Sequence, residues 1–176
     1  MGRILPFPRR FLPKYPEAAS ALDPAECLLL AALRWWLAAI RQAKDPLVWL
    51  RQTMAAAGAP DAAPSVDQLM RVVARTARRQ VEIGCPCCLG LSRDERWLLY
   101  AASLAQAGET ARAEEVLRAG MLSAVGAEFA LGPLEGLGEL LASAGFIFPR
   151  RSAPEDLDLF GGDLEAWAPP IPMLLH

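Results

Sequence analysis

The chain has 176 residues, of which 53% are hydrophobic and 22% charged, and a mean hydropathy of +0.21. That excludes a wholly disordered polymer and leaves room for one domain with tails rather than two. A formal net charge of −2 supplies no broad positive field for a phosphate backbone, so nucleic acid is not an expected partner. The apolar content is mostly alanine and leucine, both among the best helix formers, and the expected fold is all-α.

Residues 1–21 contain Pro6, Pro8, Pro13 and Pro16, each of which removes a backbone donor, and read as an extended arm. Phe7, Phe11 and Tyr15 recur along it as candidate anchors on a partner. Asp23-Pro24-Ala25-Glu26 announces a first helix from about 24 to 43, with an aspartate cap, a proline at the first helical position and a capping-box glutamate. Leu30, Leu33, Leu37 and Ile40 form one stripe, and Leu28, Leu29, Trp35 and Trp36 load the other sides, so this helix is expected to be covered nearly all round. Asp45-Pro46 opens a second helix that Gly58 stops.

After a loop to Pro64, Ser65-Val66-Asp67-Gln68 reads as a capping box for a helix to about Arg79. Leu69, Val72, Val73 and Thr76 are expected to face inward, with Arg71, Arg75, Arg78 and Arg79 as a basic, solvated face. Val81 to Ile83 reads as a short extended piece, and Ser92-Arg93-Asp94-Glu95 caps a helix to about Gln106. A further helix near 110–119 makes a hairpin with it that resembles one tetratricopeptide unit, without the second copy an array requires. The last predicted helix runs from about Pro133 to Ala144. The helical domain is thus expected to span 22–148, as a compact bundle of about six short antiparallel helices. Residues 149–176 form a tail carrying Glu155, Asp156, Asp158, Asp163 and Glu165. Arm and tail are read as association elements rather than parts of the core.

Prolines interrupt the basic N-terminus before any apolar run of signal-peptide length. The most apolar stretch, Cys27 to Ile40, falls short of the roughly 20 residues that span a bilayer. The expectation is a cytoplasmic protein whose cysteines are mostly reduced.

Cys85-Pro86-Cys87-Cys88 is the most distinctive local feature. Three thiols in four residues can converge on a soft ion, and zinc, which takes four ligands in a tetrahedron, would require Cys27 beside Cys85, Cys87 and Cys88, or else the distant His176. A second reading is thiol chemistry, since Cys85 and Cys88 have the Cys-x-x-Cys spacing and Cys88 stands shortly before a helix N-terminus. A third treats the cysteines as small buried hydrophobes around a turn shaped by Pro86.

Together with the Ser-x-x-Glu cap that follows, this proline and cysteine cluster resembles a motif of uncharacterised small all-helical alphaproteobacterial proteins. The resemblance implies a bacterial helical domain and transfers no activity. In the tail, Asp156-Leu157-Asp158-Leu159-Phe160 resembles the pentapeptide by which bacterial replication and repair proteins dock on the DNA sliding clamp, with Asp156 in place of the usual glutamine. That resemblance implies a sliding clamp as partner, with Leu157, Leu159 and Phe160 entering an apolar cleft. Neither a serine elbow nor a glycine-rich phosphate loop accompanies the carboxylates, so catalysis is not expected. The leading expectation is a non-catalytic interaction or accessory subunit that docks a protein partner through its termini; the alternative is a small zinc-binding or thiol-active protein centred on the cysteine turn.

Overall fold

The computed structural model describes residues 12–154. Its helices are α1 (Pro24–Arg41), α2 (Pro46–Ala56), α3 (Ala63–Thr76), α4 (Arg93–Gln106), α5 (Thr110–Gly120) and α6 (Ala124–Ser143), with single 3-10 turns at Ala19–Ala21 and Pro60–Ala62. Among the described residues extended pairing is confined to isolated antiparallel bridges, Ala18 with Gly90 and Ala77 with Leu122. The expected all-α bundle is therefore observed.

The polar starts do their work locally. The Asp23 amide donates to Glu26 Oε2 at 3.0 Å, Asp45 accepts from the Leu47 amide at 2.9 Å, and Ser92 and Glu95 close a reciprocal capping box. Leu29, Leu33, Leu50, Met54, Leu69, Leu98, Leu99, Leu117, Leu134 and Leu137 are fully buried, so every helix contributes to one apolar core. α1 runs through this core as expected, but not covered all round: Trp35 and Ile40 face solvent, and Trp35 stacks at 5.3 Å on Trp49 of α2.

Two helices, α6 and α3, have boundaries that differ from expectation. α6 starts nine residues before Pro133, which lies inside the helix. The glycines of α6 are points of close approach: a Cβ on Gly126, before the predicted start, would lie 2.1 Å from the Thr76 hydroxyl, and one on Gly138 would lie 3.0 Å from the Gln106 backbone. Burial against α3 and α4 outweighs the propensity cost, which is about 1 kcal/mol for each such residue. α3 begins before Ser65 and ends at Thr76, where the backbone turns extended at Ala77. There the Arg78 amide donates to Met121 O and the Ser123 amide to Thr76 O.

The basic face predicted for α3 is split by that early end. Arg78 Nη2 donates to the carbonyls of Arg118 and Ala119, and Arg79 donates to Gly120 O through Nε at 3.2 Å and Nη2 at 3.0 Å. Both cations thus cap the carbonyl end of α5, where the helix dipole favours positive charge. Arg71 and Arg75 remain exposed on α3.

The described inner portions of the arm and tail are packed rather than detached. The Ser152 amide donates to Pro13 O and the Ala19 amide to Leu89 O, the Phe148 amide donates to Gln106 Oε1 at 2.7 Å, and Leu22, Phe148 and Arg151 are buried. No helix among the described residues is long and apolar enough to cross a membrane.

Candidate functional site

The segment from Glu82 to Leu91 crosses the outside of the bundle between α3 and α4, and buried charges hold its backbone in place. Arg34 of α1 is 4% exposed and Glu95 of α4 is fully buried. They form a two-pronged ion pair, with Nε to Oε1 at 2.7 Å and Nη2 to Oε2 at 2.9 Å. The remaining donors of the guanidinium reach the loop, Nη1 to Cys88 O and Nη2 to Gly90 O, each at 2.6 Å. Glu95 completes the frame by accepting from the amides of Gly84 and Ser92 at 2.9 Å. Next to it, the buried Asp94 accepts from the Glu82 amide at 2.7 Å and from Arg79. Gly84 leaves room for this arrangement, because a Cβ there would lie 3.2 Å from the Arg34 guanidinium.

Burial pushes the Glu95 carboxyl up, but the hydrogen bond from Arg34 and those from the Ser92 and Gly84 amides outweigh it and hold the group below its ordinary range. A depressed folded-state value means that the stabilisation is fully present above the unfolded pKa, about 4.3, and is lost as the pH falls through the lower folded value. Amide exchange followed by NMR should therefore show Gly84 and Ser92 losing protection as Glu95 protonates in acid, ahead of the fully buried amides of α4. Equal protection of loop and helix throughout the acid transition would contradict this.

Within the frame, Cys85 and Cys88 are joined as a disulfide with Cα atoms 5.1 Å apart. Cys27 and Cys87 are free, whereas this pair departs from the mostly reduced state expected: the turn, closed by the Cys88 amide donating to Cys85 O, brings the two side chains together. The Cys85 amide donates to Cys88 Sγ at 3.0 Å. Cys87 is a free, exposed thiol whose Sγ lies 3.3 Å from Cys85 Sγ.

Cys27, in the first turn of α1, is half-buried, and its Sγ donates to Leu22 O at 3.5 Å. Burial pushes this thiol up, helped by Glu26 and then Asp23. The first helix does reach the cysteine turn: Cys27, Leu30, Ala31 and Arg34 line one groove of about 360 Å³ with Cys87 and Cys88. The zinc reading needs the Cys85, Cys87 and Cys88 thiolates together with Cys27 or His176, yet two of those sulfurs are bonded to each other, and His176 lies outside the described residues. Among the described residues no group of three or more His, Cys, Asp or Glu side chains is arranged to hold a metal ion.

Of the candidate docking residues, Phe7, Phe11, Leu157, Leu159 and Phe160 lie outside the described residues. Tyr15 is half-buried, with the Arg151 guanidinium 5.3 Å from its ring centre, so it is an internal anchor for the arm. Arg34, Gly84, Asp94 and Glu95 were not singled out from the sequence as site residues. One signal for Arg34 was present, since a lone arginine inside a fourteen-residue apolar run is rarely buried without a partner.

Fold and site define an all-helical protein that presents a clamped Cys-Pro-Cys-Cys loop, with one disulfide and one adjacent free thiol, beside a groove. No family model, curated protein or solved structure matches this chain.

Proposed function

We propose that the protein is thiol-active, exchanging disulfides with a dithiol partner through Cys85 and Cys88. The observation that supports this best is the Cys85–Cys88 bond in an outer loop, with the exposed Cys87 thiol 3.3 Å away. In the exchange, a partner thiolate attacks the bond and forms a mixed disulfide, and the expelled cysteine leaves as a thiolate. The partner's second thiol then displaces the remaining cysteine, so the partner is oxidised by two electrons and the loop is reduced. Arg34 and Glu95 bind the loop through its main chain, so most of the clamp does not depend on the sulfur–sulfur bond. Docking on a protein partner through Leu157, Leu159 and Phe160 concerns residues outside those described, and draws no support from this geometry.

The reverse reaction provides the test. Reduced protein mixed with oxidised glutathione should lose two of its three loop thiols, that of Cys85 among them, and retain no glutathione, while Cys27 stays unreacted. Thiols that react only after unfolding, or glutathione adducts that persist on the loop, would contradict the proposal.

A further inference from the structure

The loop has one sulfur more than a disulfide needs, and that sulfur is close enough to be a participant. Cys87 Sγ lies 3.3 Å from Cys85 Sγ, while Cys85 is bonded to Cys88. We infer that the loop is a three-sulfur relay, in which the bond held by Cys85 passes from Cys88 to Cys87 and the free thiol moves from Cys87 to Cys88. This rests on the thiol-active reading above and specifies its inner step.

The step balances without any external oxidant. Cys87 gives its proton to solvent, and its thiolate attacks Cys85 Sγ. A Cys85–Cys87 bond forms as the Cys85–Cys88 bond breaks, the bonding electron pair leaves on Cys88 Sγ, and that thiolate takes a proton from water. One disulfide and one thiol exist before and after.

Two features of the site favour departure of Cys88. The Cys85 amide already points at Cys88 Sγ from 3.0 Å, and a hydrogen bond to a sulfur strengthens when that sulfur becomes an anion. Arg34 holds the main chain of Cys88 through its carbonyl at 2.6 Å, so the backbone of the leaving residue stays in place as its side chain is released. The two positions also differ in exposure: both border the groove with Leu30, Ala31 and Cys27, but Cys87 is exposed whereas Cys88 is half-buried. The relay therefore moves the reactive thiol from an exposed to a half-buried position on the rim of that groove. Cys27 takes no part, because its thiol is bound to the carbonyls at Leu22 and Ala19.

The experiment uses the full chain in its oxidised form, held at pH 8, alkylated with iodoacetamide at intervals and mapped by mass spectrometry. One label per loop is expected, divided between Cys87 in molecules bonded Cys85–Cys88 and Cys88 in molecules bonded Cys85–Cys87. Cys88→Ser, after oxidation with glutathione, should form the Cys85–Cys87 bond in full with the fold retained by circular dichroism. Label confined to Cys87 in the wild type, or persistent glutathione adducts rather than a Cys85–Cys87 bond in folded Cys88→Ser, would overturn the relay. A separate arm counts the thiols that reduced wild type loses to oxidised glutathione. Loss of two thiols there with label confined to Cys87 refutes the relay and keeps the thiol-active reading, whereas no loss refutes both.

Discussion

Arg34→Leu is expected to lower the unfolding free energy by about 3 to 5 kcal/mol, the usual consequence of removing one partner from a buried ion pair. The charge left behind is Glu95, fully buried in α4, with only the amides of Gly84 and Ser92 to satisfy it. The carbonyls of Cys88 and Gly90 lose their donors in the same change. Urea denaturation gives the magnitude. The double variant Arg34→Leu with Glu95→Leu should recover part of the loss, because the unpaired charge goes with its partner. A single variant within about 0.5 kcal/mol of wild type, the range of an ordinary surface substitution, would show that the pair does not clamp the loop.

Arg151→Ala should be comparably costly although it lies only a few residues from the last one described. Its guanidinium grips Glu26 through Nε and Nη2, both at 2.6 Å, donates to Asp23 Oδ2 and to Lys14 O, and covers the Tyr15 ring. Glu26 is 1% exposed, so losing Arg151 strands a carboxylate in the first turn of α1 and releases the arm. The expected loss is again about 3 to 5 kcal/mol. A chain ending at residue 150 should melt cooperatively at lower temperature, and one ending at Pro154 should melt close to the full chain. Equal melting of the two shortened chains would contradict the role given to Arg151.

The contrast between these anchors and the composition of the chain shows what a sequence can reveal here. Helix starts were legible at Asp23, Asp45 and Ser92, where a polar cap stands beside a proline or a capping-box glutamate, because that signal is local and chemical; the same signal at Ser65 misplaced the start of α3, which begins at Ala63. The start of α6 was not legible: Gly126 is a breaker in isolation, and only the neighbouring Thr76 makes it a packing requirement. The bundle end near 148 follows from the loss of apolar density, but the last buried ion pair joins residues 125 positions apart, a relation no local pattern encodes. The cysteine turn was conspicuous from its spacing alone. Its frame was hidden, since Glu95 read only as a cap for α4 and Arg34 as an interruption in α1, and their meeting across 61 residues belongs to tertiary packing.

The central claim is that Cys85 and Cys88 exchange electrons in the folded protein rather than merely bracing a turn. Equilibration of the native chain in glutathione buffers of graded potential, quenched by acid and counted by alkylation and mass spectrometry, measures this directly. An exchangeable pair is predicted to titrate as a two-electron couple with its midpoint above about −300 mV, while the helical signal is retained at both ends of the titration. A bond that stays oxidised below that potential, or that opens only as the helices unfold, would mark it as structural and contradict the account.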